Sequence, residues 1–279
     1  MPDNDRSLAG KSAFVTGGSK GIGKAICIGL ARAGAAVALT GRSTGDGPGT
    51  ATATVSEIIG EGGRALAFTC DVRDPEQVRA AIDRSAEAFG GLDILVNNAG
   101  LFFPGYDAID IDLALWNETI DTHINGTMLC ARFAAPHMIA GGGGSIINMS
   151  STAGDPTHNA TGNLAYCVAK AGIEQLTRGL ARELAPHHVA VNAIRPMALL
   201  SEGSQKNTDW LARYRERSRG PVPQPPPEAK PMTQFSDPST IVPAIVHLAL
   251  CRTEFTGNVV RRTDFDGEGF RVVAVPALA

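Results

Sequence analysis

Two side chains four residues apart, Tyr166 and Lys170, are the pair in this sequence best suited to proton transfer. Residues at this spacing lie on the same face of an α-helix. A free phenol has a pKa of about 10, and an ammonium ~5 Å away at an effective dielectric of ~20 lowers that pKa by ~2 units. The pair could then serve as acid or base near neutral pH. Taken alone, Tyr and Lys at this spacing usually form an ordinary helix surface.

A second candidate site is the glycine-rich stretch TGGSKGIG (16–23), which follows an apolar run and opens a helical pattern. In that context Gly17 permits a tight turn, Gly21 lets the backbone approach a phosphate, and Gly23 lets the helix pack closely on the strand. The helix N-terminus supplies free N–H groups and a partial positive charge for a pyrophosphate. The alternative is that the glycines only shape a turn. The predicted cofactor loop comprises Gly17, Ser19, Lys20, Gly21, Ile22 and Gly23.

The tip of the second predicted strand indicates which dinucleotide would bind. A carboxylate there accepts the ribose hydroxyls of NAD, whereas a basic group suits a 2′-phosphate. The sequence VALTGRS places Arg42 after the strand with no acidic residue, and Lys20 adds a second positive charge nearby. This pattern favours NADP(H), with NAD(H) as the alternative. Arg42 could also be a solvated surface residue.

Short apolar runs alternate with longer helical patterns along most of the chain. The strands lack the polar alternation of strands that face water, as expected when both faces are covered. The sequence therefore predicts an α/β fold, a doubly wound parallel sheet with helices on both faces. Predicted strands span 12–17, 35–41, 64–72, 92–100, 144–151 and 188–196, and predicted helices span 21–34, 52–63, 75–90, 111–139 and 165–184.

The composition changes only after residue 196, so one domain is predicted over 1–279. The Pro-rich part of 203–232 cannot form a helix or a central strand. We expect 197–237 to form a substrate lid, with a solvated linker as the alternative. A last helix is predicted near 238–250 and a short strand near 256–263, and 264–279 would be a C-terminal extension.

Composition argues against several function classes. The 279 residues are 43% hydrophobic and 19% charged with a net charge of −3, which offers no basic surface for nucleic acid. No run of ~18 apolar residues could span a bilayer, and the polar start does not resemble a signal peptide. The five cysteines lack metal-ligand spacing, so no metal site is predicted. Scattered reduced thiols suit a cytoplasmic protein.

Five motifs taken together resemble the short-chain dehydrogenase/reductase family. They are TGGSKGIG (16–23), CDV (70–72), NNAG (97–100), AYCVAK (165–170) with a preceding Ser, and VNAIRP (191–196). Each is weak alone, but they occur in the family's order and cover about residues 8–265. The resemblance implies a Rossmann-like fold and reversible hydride transfer between nicotinamide and a carbon that bears a hydroxyl or keto oxygen.

The resemblance also assigns roles to individual residues. Tyr166 would exchange a proton with the substrate oxygen, Ser151 would hydrogen-bond that oxygen, and Lys170 would lower the phenol pKa and hold the nicotinamide ribose. The remaining cofactor contacts would come from Asp71 and Val72 beside the adenine, Asn97, Ala99 and Gly100 along the adenosine and ribose, and Leu199 and Ser201 after Pro196 at the carboxamide.

Three departures from the family pattern bear on function. His123 stands where the family has an Asn that helps hold a water between the Lys and bulk solvent. An imidazole that titrates near pH 6.5 could relay protons at this place. The alternative is that His123 only forms hydrogen bonds with the local backbone. Ser151 precedes Tyr166 by 15 positions, about two more than usual, so Ser150 is the alternative catalytic Ser. Met197 replaces the usual Gly after Pro196 and could be an apolar pocket wall or filler.

The leading hypothesis is an NADP(H)-dependent oxidoreductase that interconverts a ketone and a secondary alcohol. A fairly apolar pocket is expected from Phe102, Phe103, Met197 and Trp210, with Tyr214 also in the lid. The alternative is a nucleotide-binding regulatory protein with little turnover. By resemblance alone, the helices at 111–139 and 165–184 would pair subunits in a homotetramer or homodimer.

Overall fold

The computed structural model describes residues 6–271 except 44, 46, 104–105, 107, 159–161, 198 and 200–235. Within these residues, seven parallel strands form one sheet in the order β3-β2-β1-β4-β5-β6-β7. The order reverses between β1 and β4, the crevice in which doubly wound sheets bind nucleotides. The strands are β1 (Ser12–Val15), β2 (Ala36–Gly41), β3 (Arg64–Thr69), β4 (Ile94–Asn97), β5 (Gly144–Met149), β6 (Val189–Arg195) and β7 (Val259–Arg261).

The predicted α/β fold is confirmed, and burial explains the strand pattern. Every residue of β1, β2, β4, β5 and β6 is buried, whereas the edge strand β3 exposes Arg64, Leu66 and Thr69. Ile26 and Ile245 lie in the core on one face of the sheet, and Ile82 and Met138 lie in the core on the other. Each such burial is worth roughly 1.5–3 kcal/mol.

Helices connect the strands, and local signals set several of their ends. Asp74 caps one helix by accepting hydrogen bonds from the Glu76 and Gln77 N–H groups at 2.9 and 3.1 Å, and Gly90 ends that helix at φ 81°. The helices are α1 (Gly21–Arg32), α2 (Ala51–Gly60), α3 (Pro75–Phe89), α4 (Leu113–Ile120), α5 (Gly126–Ala140), α6 (Leu164–Leu184) and α7 (Val242–Leu250).

The helix predicted over 111–139 contains an irregularity that the sequence does not signal. A π-helical turn, Asp121–Asn125, joins α4 to α5. Within this turn His123 is buried, only 1% exposed, whereas Asn125 is exposed and donates to the Asp121 carboxylate at 2.7 Å. Such turns are rare and occur frequently at functional sites.

Several predictions fall wholly or largely outside the described residues. They include most of the lid over 197–237, with Ser201, Trp210 and Tyr214, and the second half of the extension over 264–279 also lies outside the described residues. The single-domain boundaries stay a prediction. In the described part of the chain, no helix has the length and apolar character needed to cross a membrane.

Candidate active site

The glycine turn after β1 is held by hydrogen bonds from the end of β4. The Asn98 side chain donates to the Thr16 and Gly17 carbonyls at 2.9 and 3.1 Å. Gly17 has φ 65°, which glycine adopts without steric cost. A Cβ on Gly23 would lie 2.1 Å from the Gly17 carbonyl oxygen, so α1 packs on the turn only because residue 23 has no side chain.

This turn fits the phosphates of a dinucleotide. Helix α1 begins at Gly21, and its N-cap residue, Lys20, has an extended backbone and makes no side-chain capping hydrogen bond. The first N–H groups of the helix therefore meet no capping side chain from that residue, and they favour an anion. Ser19 and Ile22 flank these positions.

The tip of β2 carries positive charge. β2 ends at Gly41, and the exposed Arg42 follows it. The positive charge of Arg42 is close enough to Asp71 to help lower the pKa of that carboxyl. The larger cause is Arg73, whose guanidinium binds both Asp71 oxygens, at 2.9 Å from Nε to Oδ1 and 2.5 Å from Nη2 to Oδ2. Sequence reasoning missed Arg73, although a cation two residues after Asp71 was a visible signal.

Other predicted cofactor residues lie at the same edge of the sheet, with different side-chain environments. Asn97 points into the interior and donates to Asn148 at 2.9 Å, and Val72 is buried. The Ala99 N–H donates to the Thr16 hydroxyl at 2.9 Å. These residues can offer backbone to a cofactor, but the Asn97 amide nitrogen is already paired.

The side chains of Ser151, Tyr166 and Lys170 meet beyond the carboxyl end of β5. Tyr166 and Lys170 lie in the first two turns of α6, and Ser151 caps the short 3₁₀ turn Thr152–Gly154 by accepting the Ala153 N–H at 3.2 Å. The Ser151 hydroxyl hydrogen-bonds the Tyr166 phenol. The Lys170 Nζ atom donates to the Met149 carbonyl at 2.7 Å and lies 5.4 Å from the Tyr166 ring centroid.

The electrostatics of this group differ from the sequence expectation. Burial raises the pKa of Tyr166 to about 12, and the Ser151 hydrogen bond only partly offsets that rise. Burial also lowers the pKa of Lys170 to about 7. Desolvation of both groups therefore outweighs the Coulomb attraction expected from an i,i+4 pair. At neutral pH the phenol is a protonated donor.

The neighbouring Ser150 has a different environment. It is 2% exposed, and its hydroxyl donates to the Glu174 carboxylate at 2.7 Å. The structure therefore places Ser151, and not the alternative Ser150, beside Tyr166. The added length before Tyr166 falls in 155–163, of which 159–161 lie outside the described residues.

His123 lies beside Tyr166 but does not have the titration expected of it. Its Nε2 atom lies 3.0 Å from the Leu101 nitrogen and 2.8 Å from the Leu101 oxygen, and its buried Nδ1 has no partner within the described structure. Burial, and then the positive charge of Lys170, lower the pKa of His123 to about 3. Because a charged ring would be desolvated there, these contacts favour the alternative that His123 satisfies local backbone, and a proton relay through it stays a prediction.

An apolar wall adjoins the phenol. The ring of Phe102 lies edge-on to Tyr166 with centroids 4.9 Å apart, and the Phe103 side chain is 36% exposed. Met197 follows Pro196 with φ 62°, a left-handed backbone that glycine adopts freely and other residues adopt at a cost of about 1–2 kcal/mol. Leu199 is buried, and Ser201 lies outside the described residues. Within the described ranges, no cluster of three or more His, Cys, Asp or Glu could hold a metal ion.

Sequence reasoning missed several residues that support this group. Leu101 and Met149 act through backbone atoms, which leave no signal in the sequence. Glu174 and Arg195 form a buried ion pair behind Ser150. In the sequence, Glu174 is a charged residue within a predicted helix and Arg195 is a charged residue at the end of an apolar strand, and these positions could have indicated a buried pair.

Comparisons with known proteins agree with this geometry. The family model described as short chain dehydrogenase matches residues 11–212. The 3-oxoacyl-(acyl-carrier-protein) reductase of Staphylococcus aureus is 36% identical over 201 residues, which cover 72% of this chain and 79% of that protein. The D-threitol dehydrogenase of Mycolicibacterium smegmatis is 35% identical over 247 residues, 88% of each chain.

A solved structure shows the same fold with a nucleotide. The short chain dehydrogenase from Burkholderia cenocepacia in complex with NADP superposes with a TM-score of 0.77 and is 32% identical, over 95% of this chain and 98% of that one. The matched family model, the relatives and the shared fold lead to one conclusion. The chain belongs to the short-chain dehydrogenase/reductase family.

Proposed function

We propose that this protein is an NADP(H)-dependent oxidoreductase that interconverts a ketone and a secondary alcohol. The observation that carries the proposal is the meeting of Ser151, Tyr166 and Lys170 at the sheet edge that also bears the glycine turn. A hydroxyl, a protonated phenol and an amine in one place suit proton exchange with an oxygen atom next to a hydride-transfer site.

Ser151 and Tyr166 would bind the substrate oxygen together. The Ser151 hydroxyl already hydrogen-bonds the phenol, so both groups can point at one oxygen placed between them. When bound, the nicotinamide supplies or accepts the hydride. In reduction the Tyr166 hydroxyl donates its proton to the carbonyl oxygen, and in oxidation the phenolate takes the proton of the alcohol.

Lys170 would supply the charge that makes the phenolate accessible. Its Nζ atom is fixed by the Met149 carbonyl and retains two further donor positions. These positions suit the hydroxyls of a ribose. Anionic phosphates nearby would favour the ammonium form, which in turn lowers the phenol pKa.

The preference for NADP(H) is supported by the charges at the tip of β2. Arg42 and Lys20 are exposed cations there, and β2 ends in Gly41 without a carboxylate. A guanidinium binds a phosphate group through paired N–H donors. The NADP in the Burkholderia cenocepacia structure is consistent with this preference.

The substrate class is inferred from the side chains around the phenol, and the cellular compartment from the cysteines. Phe102, Phe103 and Met197 favour a small to medium, fairly apolar ketone or alcohol. All five cysteines are free and buried, which suits a reducing cytoplasm. Assembly into a homodimer or homotetramer stays a prediction from family resemblance.

The test is turnover of the nicotinamide. Purified protein, NADPH and a panel of aliphatic, cyclic and aryl ketones should give loss of the reduced-nicotinamide absorbance. Binding of NADPH with no turnover of any ketone in the panel would instead support the regulatory alternative.

A further inference from the structure

A buried ion-pair cluster lies behind the catalytic Ser. Glu174 is 3% exposed and Arg195 is 8% exposed. The Arg195 guanidinium donates through Nε to Glu174 Oε1 at 2.7 Å and through Nη2 to Oε2 at 2.8 Å. Its remaining terminal nitrogen, Nη1, donates to the Asp155 carboxylate. One guanidinium therefore joins two carboxylates with all three of its nitrogens.

The three residues come from three elements that carry the site. Glu174 lies on α6 one turn after Lys170, and Arg195 is the last residue of β6, directly before Pro196. Asp155 follows the 3₁₀ turn that Ser151 opens. The cluster thus links the helix that carries Tyr166, the strand that leads to the nicotinamide side, and the turn that carries the Ser.

The turn packs directly on this cluster. The Ser150 hydroxyl donates to Glu174 Oε1 at 2.7 Å. A Cβ on Gly154 would lie 2.8 Å from the same oxygen and 2.9 Å from the Lys170 carbonyl carbon. Ser150, which precedes Ser151, is therefore hydrogen-bonded to Glu174, and Gly154, three residues after Ser151, packs closely on Glu174.

Stability alone is a weak reason for such a cluster. Burying ions costs free energy that their attraction only partly returns, and apolar side chains of similar volume often stabilise a protein as well. A guanidinium fork fixes direction, which an ammonium does not. The geometry is therefore the property that an apolar replacement would lose.

We propose that Arg195 and Glu174 are positioning residues that hold the Ser151 turn so that the Ser151 hydroxyl meets the Tyr166 phenol. The inference rests on the proposed function only for its kinetic readout. Neither residue is among those proposed to bind substrate or cofactor. They act through Ser151.

The sharpest variant is Arg195→Lys, which keeps the charge and removes the fork. Arg261 provides a matched control, because it binds the same Asp155 oxygen from the surface, at a distance of 3.4 Å. Its side chain is 53% exposed, whereas the side chain of Arg195 is 10% exposed. We expect Arg195→Lys to lower kcat for ketone reduction about tenfold or more and to leave the Kd for NADPH within about twofold. Arg261→Lys should leave both unchanged.

A double-mutant cycle with Ser151→Ala separates positioning from general damage. If Arg195 acts through Ser151, then Arg195→Lys should lower kcat far less in the Ser151→Ala background than in the parent. Effects that multiply, or an Arg261→Lys loss equal to that of Arg195→Lys, would overturn the proposal. Glu174→Gln, which keeps an oxygen for Ser150, should fall between the parent and Arg195→Lys.

A second measurement needs no substrate. The chain has three tyrosines, so the ¹⁹F resonance of Tyr166 in protein labelled with 3-fluorotyrosine can be assigned with Tyr166→Phe. Arg195→Lys and Ser151→Ala should both shift this resonance in the same direction, and Arg261→Lys should not. An unshifted resonance in Arg195→Lys would contradict the inference even if no ketone is turned over, whereas absent turnover alone would contradict only the proposed function.

Discussion

The imidazole of His123 lies edge-on to the phenol ring of Tyr166, with ring centroids 5.5 Å apart and an interplanar angle of 80°. The same imidazole contacts the backbone of Leu101, the residue that precedes Phe102 in the apolar wall. A buried neutral ring therefore supports both the phenol and the loop beside it. His123 shapes the site without changing its charge at working pH.

Replacing His123 by Asn should leave the pH profile of catalysis unchanged between pH 6 and 7. The pKa of His123 is about 3, so the ring is neutral throughout that interval. An amide can also both donate and accept at Leu101. The measurement is kcat/KM for ketone reduction from pH 5.5 to 8.5 in both proteins. A limb near pH 6.5 in the parent that vanishes in His123→Asn would restore the relay interpretation.

The same group should make the fold sensitive to acid. Its folded pKa of about 3 lies below the unfolded value of about 6.5, so the folded state binds fewer protons in that window. The unfolding free energy of the parent should fall as pH drops from about 6.5 towards 3, and His123→Asn should lack this component. Chemical denaturation at several pH values measures the difference. If the unfolding free energy depended on pH equally in the two proteins, burial would not shift the pKa of His123.

Replacing Arg42 by Asp should reverse the cofactor preference. A hydrogen bond to a charged group is worth about 1.5–3 kcal/mol, so removing the guanidinium should weaken NADPH binding by about 10- to 100-fold relative to NADH. Fluorescence titration with both nucleotides measures the ratio of the Kd values. Arg182→Asp, the same charge change at an exposed position near the end of α6, is the control. An unchanged ratio in Arg42→Asp would mean that this Arg is only a solvated surface residue.

Binding of NADPH should draw a proton onto Lys170. The pKa of this amine is about 7, so most of it is neutral at pH 8. Anionic phosphates raise the pKa of a nearby amine, and proton uptake should therefore approach one per site at pH 8 and be much smaller at pH 6. Calorimetric titration in two buffers of different ionisation enthalpy measures this uptake. Lys170→Met should abolish it, and a buffer-independent enthalpy in the parent would refute the shifted pKa.

Much of the fold was predictable because the signals were local. Central strands buried on both faces read as unbroken apolar runs, and Asp74 with Pro75 marks the start of a helix. The meeting of Ser151 with Tyr166 was expected from family resemblance. Three features were not predictable. The π turn at Asp121–Asn125 has no sequence signal, the pKa values of Tyr166 and Lys170 depend on burial that a spacing rule ignores, and the joining of Glu174 to Arg195 needs the sheet to be formed.

Asp155 should contribute stability that is lost in acid. Hydrogen bonds from Thr157, and then the charge of Arg195, hold the pKa of this carboxyl far below its usual range. The contribution is therefore complete above the unfolded pKa of about 3.9 and is lost as pH falls below that value. Denaturation of the parent and Asp155→Asn at pH 7, 5, 4 and 3 should show a stability difference that is constant down to about pH 4 and then shrinks. A difference that persists undiminished at pH 3 would contradict this assignment.

The proposed exchange of a proton between Tyr166 and the substrate oxygen is tested by Tyr166→Phe. The change removes one oxygen and keeps the ring that packs on Phe102 and His123. We predict that ketone-dependent oxidation of NADPH falls by at least about 10²-fold while the Kd for NADPH stays within about twofold of the parent value. Undiminished turnover in Tyr166→Phe, with the fold and NADPH binding intact, would mean that another group exchanges the proton.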